Sequence, residues 1–398
     1  MEHFEKIYNN LKSYISKNFS DRNYNDIELS FERLNGLSND IYLVKMFNQT
    51  TQEMVHEVIY RQFGEISDLV DRKLETSIIQ NLSEKKLTPR IFETDDQTYR
   101  IEEFISNSST MTKESLKEDD VIERIVQILV TYTMISGVYS YYIHSKDLSQ
   151  DYKIQIDPEL TNSTKFDRVN QNMFDMCMKD MFSKARKNLE KFSQIFKKKY
   201  NIFLDKEIFA KLEKIKYFIN NYHEIFSKIF PKQGFFVLNH NDVHRLNLLI
   251  SEDKEKLFIL DHEYSALNLV GADIVNYLIE STFSYDLKAH PFYRFDAEEI
   301  DFENYFEIFK DFINKFEMSH EELLADAENR RKFEKMKTFK YFLKLVCVIS
   351  LFWLLFSVIY LDFEAFSLQK TFDYFQHALD RIYIFEKAYQ KLQTLKIW

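Results

Sequence analysis

The chain has 398 residues, of which 45% are hydrophobic, 16% aromatic and 29% charged, and this length is enough to bury a large core in two lobes. Its 53 basic and 63 acidic residues give a net charge of −10, which argues against a general nucleic-acid-binding protein. Two cysteines, Cys177 and Cys347, exclude a disulfide framework and a cysteine-rich zinc site and are typical of a reducing, cytoplasmic compartment.

The first hundred residues have the pattern of a small lobe rich in strands. Apolar runs at 27–34, 41–47 and 55–63 are separated by turn-like clusters, which predicts antiparallel strands. A helical pattern over 69–86 ends before Pro89. Residues 90–94 and 98–104 flank an Asp-Asp turn and predict a further hairpin. We therefore predict an N-terminal lobe over residues 1–105.

From residue 119 onward the pattern is mostly helical. Helices are predicted at 121–143, within 166–200, and at 205–230, where Pro231 ends the last one. Residues 345–361 form a run of 17 residues without a charge. A membrane helix usually needs about 20 apolar residues, so we expect a buried core helix and no membrane span. The predicted fold class is α+β, with a large helical lobe over residues 106–398.

The helical pattern breaks between residues 235 and 261. Short apolar runs predict strands at 235–238, 248–250 and 257–260, and the polar sequence NHNDVHRLN follows the first of them. Asp261 follows the last of them. Polar loops at the ends of short buried strands are where binding and catalytic residues are commonly placed.

Three residues in this region have the chemistry that phosphoryl transfer requires. The reaction needs a carboxylate that orients the attacking hydroxyl and accepts its proton, and oxygen ligands that hold Mg²⁺ against the phosphates. Asp242 stands five residues before Asn247, and Asp261 follows a later strand. Carboxylate and amide oxygens are hard ligands that suit Mg²⁺. The pattern therefore predicts Asp242 as the base, with Asn247 and Asp261 as metal ligands.

The H-x-D-x(4)-N loop with a later strand-end Asp resembles phosphotransferases related to protein kinases. The segments VLNHNDVHRLNLLI and LFILDHEYSALNLVGADIVNYLIE resemble more closely the choline/ethanolamine kinase family, and RLNGLSNDIYLV, VIYRQFG, YRIEEFI and LFWLLF extend the resemblance along the chain. It implies a bilobal protein-kinase-like fold. It also implies ATP- and Mg²⁺-dependent phosphorylation of choline or ethanolamine, the first step of phospholipid head-group synthesis.

The resemblance also implies roles for individual residues. Those expected to contact the nucleotide are Asn35, Ser38, Asn39, Arg61, Glu75, Glu103 and Ile105, with Glu75 as the acid that pairs with Arg61. Those expected to bind the substrate are Glu263, Glu280, Tyr285, Trp353, Phe356 and Phe363. Carboxylates attract an ammonium group by charge, and aromatic faces attract it by about 0.5–2 kcal/mol per good contact.

Several positions depart from the family pattern. Asn35 stands where a glycine is usual, Leu246 replaces the glycine before the metal-binding Asn, and Phe356 replaces a second Trp. These changes leave a second interpretation open, a kinase-fold protein with weakened or lost activity that serves as a subunit or scaffold. A kinase for a sugar or an aminoglycoside is a third, because such enzymes share the loop but lack the Glu-Tyr-x(3)-Asn continuation. The sequence leaves homodimer formation and the choice between choline and ethanolamine open.

Overall fold

The computed structural model describes residues 2–19, 26–34, 39–64, 72–135, 140–143, 155–156, 173, 176–200, 205–230, 233–369 and 371–395. Backbone contacts divide the chain into a first unit, Met1–Ser109 with Ile250–Glu263, and a second unit, Thr110–Leu249 with Tyr264–Trp398. We predicted that every residue after 105 belongs to the C-terminal lobe. In the structure, residues 250–263 belong to the first unit. The backbone explains this difference, because Glu252 donates a hydrogen bond to the Asn107 carbonyl and Ile259 donates one to the Leu87 carbonyl.

The first unit contains a five-stranded sheet in which all neighbours are antiparallel, in the order β1-β2-β3-β5-β4. Its strands are β1 (Ile27–Leu34), β2 (Asn39–Asn48), β3 (Met54–Phe63), β4 (Ile91–Thr94) and β5 (Tyr99–Glu103). Its helices are α1 (Glu2–Asn18) and α2 (Arg72–Glu84). The predicted strands and hairpin are therefore confirmed. The predicted helix at 69–86 is observed from Arg72, and its first residues lie outside the described part of the chain.

The core of the first unit lies between α1 and the sheet. Apolar residues of α1 recur every three or four positions, so they fall on one face of the helix and are buried there. Alternate residues of the strands point to the same face. The shared cluster consists of Ile7, Leu11, Tyr14, Ile15, Ile27, Tyr42, Val44, Met46, Val58, Tyr60, Tyr99 and Ile101.

The second unit combines many helices with a small antiparallel sheet of order β12-β9-β7-β8. In chain order, and irrespective of the unit to which they belong, the strands after β5 are β6 (Ser108–Thr110), β7 (Ser140–Ile143), β8 (Gln155–Ile156), β9 (Gln233–Asn239), β10 (Leu248–Ser251), β11 (Leu257–Ile259), β12 (Ala266–Leu269), β13 (Phe283–Ser284) and β14 (Arg294–Phe295). The helices after α2 are α3 (Asp119–Ile135), α4 (Phe182–Lys199), α5 (Lys206–Asn220), α6 (Tyr222–Ile229), α7 (Ala272–Glu280), α8 (Phe302–Ser319), α9 (Ala327–Glu334), α10 (Phe339–Ile359), α11 (Phe363–Leu368) and α12 (Tyr374–Thr394). A π-helical turn, Met176–Met181, precedes α4.

Helix α10 is the apolar centre of the second unit and contacts α12, α4 and α7. It contains most of the uncharged run at 345–361, and its residues from Tyr341 to Val358 are buried apart from Lys344 and Phe356. The expectation of a buried core helix is therefore confirmed. Within the described residues, α10 is the one helix with the length and apolar composition to cross a membrane, and 83% of its most apolar window is buried.

Two of the predicted helices differ from the observed ones. The helix predicted over 121–143 ends at Ile135, and Ser140–Ile143 instead pairs antiparallel with β9. The 3.6-residue pattern continued through this segment, but tyrosine and isoleucine also suit a strand that has a partner. The helix predicted over 205–230 is split at Asn221, whose φ of −105° and ψ of 13° interrupt the helical backbone.

Candidate active site

The loop that follows β9 is fixed by hydrogen bonds to its backbone. Strand β12 pairs with β9, which places Ala266 opposite Asn239. Asn241 adopts a left-handed backbone with φ of 68°, a conformation that asparagine tolerates better than most residues. Its Nδ2 donates to the Tyr264 carbonyl at 2.9 Å, and Asn268 Nδ2 donates to its Oδ1 at 2.8 Å. The loop therefore has a defined shape before any ligand binds.

Asp273, at the start of α7, anchors the same loop. Its two carboxyl oxygens accept the backbone N–H groups of His240 and Asn241, each at 2.7 Å. Burial raises the pKa of Asp273 to about 7, and the two backbone hydrogen bonds act in the opposite direction. These contacts make Asp273 an anchor of the loop backbone.

The Asp242 side chain is mostly buried within the loop, with 13% of it exposed. Asn247 Nδ2 donates to both the carbonyl and Oδ2 of Asp242, at 3.0 and 3.1 Å. His240 Nδ1 accepts the Asp242 backbone N–H at 3.2 Å. Burial alone would raise the pKa of Asp242, but His244, His240 and Asn247 more than offset it and lower the pKa below its ordinary value. The side chain is therefore a carboxylate at neutral pH and can accept a proton.

His244 is closer to this carboxylate than its position in a polar loop suggested. Its side chain is 19% exposed, and its Nε2 lies 3.6 Å from Asp242 Oδ2. Its ring also lies 6.0 Å from the ring of Tyr285. The spacing of two residues in a turn gives no indication of this contact, because it depends on how the loop folds back.

The amide of Asn247 is oriented in a way that suits a metal ligand. Its Nδ2 is used by Asp242, and no described group donates to its Oδ1. The described residues contain no cluster of three or more His, Cys, Asp or Glu side chains suited to a metal ion. An amide oxygen together with single carboxylates is the donor set that Mg²⁺ accepts, since this ion keeps several waters and phosphate oxygens as its other ligands. The donor types therefore fit Mg²⁺.

In the first unit, Arg61 pairs with two acids. Its Nε lies 3.4 Å from Glu102 and its Nη1 lies 3.7 Å from Asp261. Asp261 follows β11 with a left-handed backbone, φ of 62°. Non-glycine residues in this conformation are uncommon and often occur where a side chain must be aimed at a ligand.

The expected ion pair between Arg61 and Glu75 is corrected by the structure. Glu75 pairs with Arg72 at 2.8 Å and with Arg100 at 2.9 Å. Burial by itself would raise the pKa of Glu75, but Arg100 and Arg72 lower it to about 2. Arg100 extends from β5 and Arg72 begins α2. Arg72 lies three residues before Glu75 on α2, where side chains are neighbours, whereas the contact with Arg100 depends on how α2 packs on the sheet and could not be predicted from the sequence.

The remaining residues predicted to contact the nucleotide have varied surroundings. Asn35 and Ser38 lie outside the described residues. Asn39 Oδ1 accepts from Gly64 N–H and from Arg72 Nη2, both at 3.3 Å. The carboxylate of Glu103 pairs with the exposed Arg90, and its backbone N–H donates to the Arg90 carbonyl.

The carbonyl of Ile105 accepts a hydrogen bond from Ser108 Oγ at 2.7 Å. Glu263, predicted to bind substrate, lies in the first unit with Glu263 Oε2 3.5 Å from Arg72 Nη2. Its neighbour His262 contacts the Thr88 hydroxyl at 3.0 Å.

Four of the predicted substrate-binding residues gather in the second unit, and one does not. Tyr285 donates its hydroxyl to Glu280 Oε2 at 2.6 Å, and the rings of Trp353 and Phe356 are 5.2 Å apart. Phe363 instead packs 5.9 Å from Phe192, in a separate aromatic cluster. Aromatic residues of α10 and α11 look alike in the sequence, and only the packing of α4 separates them.

Two further residues contact the predicted substrate-binding residues of the second unit and were not predicted from the sequence. Asn276, on α7, accepts the indole N–H of Trp353 at 2.7 Å and donates to the Val243 carbonyl at 3.2 Å. Arg381, on α12, pairs with Glu280 at 2.5 Å. Asn276 lies in a segment that carries the family resemblance, but the resemblance implied no role for it. A buried arginine in a C-terminal amphipathic helix carries no comparable signal.

Comparisons with known proteins identify the family of this chain. The sequence profile of the choline/ethanolamine kinases matches residues 31–386. Choline kinase alpha from Mus musculus is 35% identical over 68 residues, a match that spans 16% of this chain and 15% of the mouse protein. The structure of choline kinase from Cryptosporidium parvum shares 18% identity and a TM-score of 0.60, covering 98% of this chain and 97% of that one.

An ethanolamine kinase from Plasmodium vivax shares 16% identity and a TM-score of 0.55, covering 96% of this chain and 91% of that one. These two structures share the α+β, protein-kinase-like fold of this chain. Because the sequence profile covers most of the 398 residues, the chain belongs to the choline/ethanolamine kinase family.

Proposed function

We propose that the protein transfers the γ-phosphoryl group of ATP to the hydroxyl of a small amino alcohol, choline or ethanolamine, with Mg²⁺ as the metal. The observation that carries this proposal is the loop 239–247, in which Asn247 holds the ionised Asp242 and Asp273 anchors the backbone N–H groups of His240 and Asn241. Family membership supports a kinase of this substrate class.

In the proposed reaction the substrate hydroxyl oxygen forms a bond to the γ-phosphorus as the bond to the ADP oxygen breaks. Asp242 orients the hydroxyl and accepts its proton. Its lowered pKa keeps it ready for that role at neutral pH. Asn247 holds the Asp242 carboxylate through Nδ2. Its Oδ1 would be a ligand of the metal when the metal is bound.

Asp261 is proposed as the second metal ligand and Arg61 as a contact to the nucleotide phosphates. Mg²⁺, when bound, would neutralise charge on the phosphate oxygens. Arg61 is buried beside Glu102 and Asp261, so its guanidinium is fixed in place by acids on two sides. We place the reaction in the cytoplasm, at the first step of phospholipid head-group synthesis.

The test is an assay of purified protein with Mg-ATP and a panel of amino alcohols, sugars and aminoglycosides. We expect ADP release that depends on choline or ethanolamine, and a loss of at least about a hundredfold in kcat for Asp242→Asn, because general-base catalysis typically contributes 10²–10⁴-fold. Asp311→Asn is the matched control, since Asp311 is half exposed on α8 and pairs with Lys315. Activity toward neither amine, or equal activity in Asp242→Asn, would refute the proposal.

A second candidate, a kinase-fold subunit without activity, is favoured by one observation: Glu280 is already paired with Arg381. A thermal-shift titration with Mg-ATP separates the two candidates. An active kinase should gain about 2.7 kcal/mol of stability when the ligand is 100-fold above its dissociation constant. A scaffold that has lost the nucleotide site should show no shift.

A further inference from the structure

Helix α4 carries a concentration of positive charge that the proposed function does not use. It contains seven basic residues and one acidic residue, Glu190, so its net charge is +6. The whole chain has a net charge of −10, so the residues outside α4 together carry −16. All seven basic side chains of α4 are exposed: Lys184, Arg186, Lys187, Lys191, Lys197, Lys198 and Lys199.

The packing of α4 determines which side of the helix is exposed. Asn188 Nδ2 donates to the carbonyls of Ile359 and Leu361, at 2.9 and 2.7 Å, and so ties α4 to the end of α10. The residues that α4 buries are Ala185, Leu189, Phe192, Ser193 and Phe196. Successive residues of a helix are rotated by about 100°, so four lysines fall within an arc of about 60° on the side away from the buried residues: Lys184, Lys187, Lys191 and Lys198. These four residues, the lysine row, extend over about 21 Å.

Neighbouring acids do not neutralise the lysine row. Exposed lysines of α5, α6 and α8 each pair with an acid one turn away, in the pairs Lys211 with Glu207, Lys228 with Glu224 and Lys310 with Glu307. In α4, Arg186 pairs in this way with Glu190, at 3.4 Å. Within the described residues, no lysine of α4 has a nitrogen within 4.0 Å of a carboxylate oxygen. The positive charge of this face is therefore available to an external partner.

The residue types of this face indicate the kind of partner. Arginine and aromatic residues are enriched at protein interfaces and lysine is depleted there. The exposed residues of α4 include six lysines, one arginine and no apolar or aromatic residue. Lysine is a strongly hydrated point charge on a flexible stem, which suits a diffuse anionic surface better than a partner of fixed shape. Clusters of four to eight basic residues on an amphipathic helix are typical of sites that bind anionic lipid head groups.

We propose that the lysine row is a docking surface for an anionic phospholipid bilayer, to which the protein binds peripherally and reversibly. A flexible polyanion such as nucleic acid would also meet the acidic remainder of the protein, whereas a flat bilayer meets only the side that faces it. Because α4 exposes no apolar residue for insertion, binding should be electrostatic and should depend on salt. No residue of α4 has a role in the proposed function, so the two proposals are independent.

The test is sedimentation of the purified protein with vesicles of equal parts phosphatidylserine and phosphatidylcholine, beside vesicles of phosphatidylcholine alone. We expect binding to the anionic vesicles at about 0.1 M sodium chloride, and its loss at about 1 M, where the Debye length falls to about 3 Å. No sedimentation with the anionic vesicles at the lower salt concentration, or equal sedimentation with both kinds of vesicle, would overturn the proposal.

Charge reversal tests whether α4 is the surface that binds. Lys184→Glu/Lys187→Glu/Lys191→Glu should lower the partition coefficient at least about thirtyfold, since each basic residue near an anionic surface contributes roughly fivefold. Lys211→Glu/Lys228→Glu/Lys310→Glu is the matched control, because it changes the net charge equally at exposed lysines outside α4. It should bind within about threefold of wild type. Equal losses in the two triple variants would show that α4 is not the docking surface.

Lys184→Gln/Lys187→Gln/Lys191→Gln is the alternative if the charge reversal does not fold, and circular dichroism checks the fold of each variant. Binding of the wild-type protein to RNA or heparin without binding to anionic vesicles would also overturn the proposal. Sedimentation needs no catalysis. A protein that binds anionic vesicles through α4 and has no kinase activity would therefore count against the proposed function alone.

Discussion

Trp353 shows why a residue type alone does not define a role. Its indole was expected to offer an aromatic face, and its ring does lie near Arg381. Its N–H, however, donates to Asn276, which in turn holds the Val243 carbonyl next to Asp242. The same side chain therefore lies among the predicted substrate-binding residues and connects α10 to the loop that carries the proposed base.

This double role gives a prediction for Trp353→Phe. The substitution keeps an aromatic ring but leaves the buried Asn276 Oδ1 without a donor, which should cost about 1–3 kcal/mol of unfolding free energy in a urea titration. Phe356→Leu is the comparison, because Phe356 is a half-buried neighbour that donates no hydrogen bond. Similar losses for the two variants would show that the indole hydrogen bond contributes nothing.

The residues with the proposed chemistry could be predicted from the sequence, but their partners could not. Asp242, Asn247 and Asp261 stand out because their types and spacing suit a base and two oxygen ligands. The spacing does not reveal that Arg100 reaches Glu75 or that Arg381 reaches Glu280. Those pairs join residues 25 and 101 positions apart, so they depend on how strands and helices pack.

Among the elements, the junction of β12 and α7 is the most constrained. Gly271 connects them with a left-handed φ of 86°, and a Cβ atom at this position would lie 2.5 Å from Phe309 Cε2. Asp273, which anchors the loop, follows two residues later. The backbone conformation and the lack of space both require glycine here.

We therefore expect Gly271→Ala to destabilise the protein by about 1–3 kcal/mol, since a left-handed backbone is strained for alanine and Phe309 must move. The shift of Asp273 should also lower kcat. Gly271→Ala combined with Phe309→Leu is the control, because it relieves the clash and leaves the strain in φ. A single variant as stable as wild type in denaturant titrations would contradict this account of the junction.

The end of α8 contains a buried histidine that should make stability depend on pH. His320 stacks on Phe316 at 3.9 Å between ring centres, and its Nδ1 lies 2.8 Å from the Phe316 carbonyl. Burial lowers its pKa from 6.5 to about 4. The unfolded chain therefore binds a proton between these pH values and the folded chain does not. The stabilising contribution is present above pH 6.5 and is lost as the pH falls toward 4.

Between pH 7 and pH 5, this linkage should lower the unfolding free energy by roughly 2 kcal/mol. His320→Asn, which keeps a donor for the Phe316 carbonyl, should remove that part of the pH dependence. Chemical denaturation of both proteins at the two pH values measures the difference. Identical pH dependence in the two proteins would show that His320 is not the group responsible.

Element prediction succeeded where one pattern was present and failed where two competed. The apolar runs at 27–34 and 55–63 are bounded by turn-like clusters, which predicted strands, and both strands were found. Ser140–Ile143 was predicted to continue a helix because its apolar residues fit either period. Its pairing with β9, about a hundred residues away, decided the outcome.

At the scale of the whole molecule, the residues with proposed roles are divided between the two units. Arg61 and Asp261 belong to the first, and Asp242 and Asn247 belong to the second. The chain enters the first unit twice, because residues 250–263 return to it. No local pattern could reveal that return, since the backbone hydrogen bonds that define it join residue 252 to residue 107 and residue 259 to residue 87.

We propose that this protein moves a phosphoryl group from ATP to an amino alcohol with Asp242 as the base. The most direct test is product analysis by ³¹P NMR after incubation of the purified protein with Mg-ATP and either choline or ethanolamine. We expect a phosphomonoester of one or both amines to form in amounts that match the ADP formed. We expect no phosphomonoester with Asp242→Asn. Formation of ADP and free phosphate without any phosphorylated amine, or the same ester yield in Asp242→Asn, would contradict it.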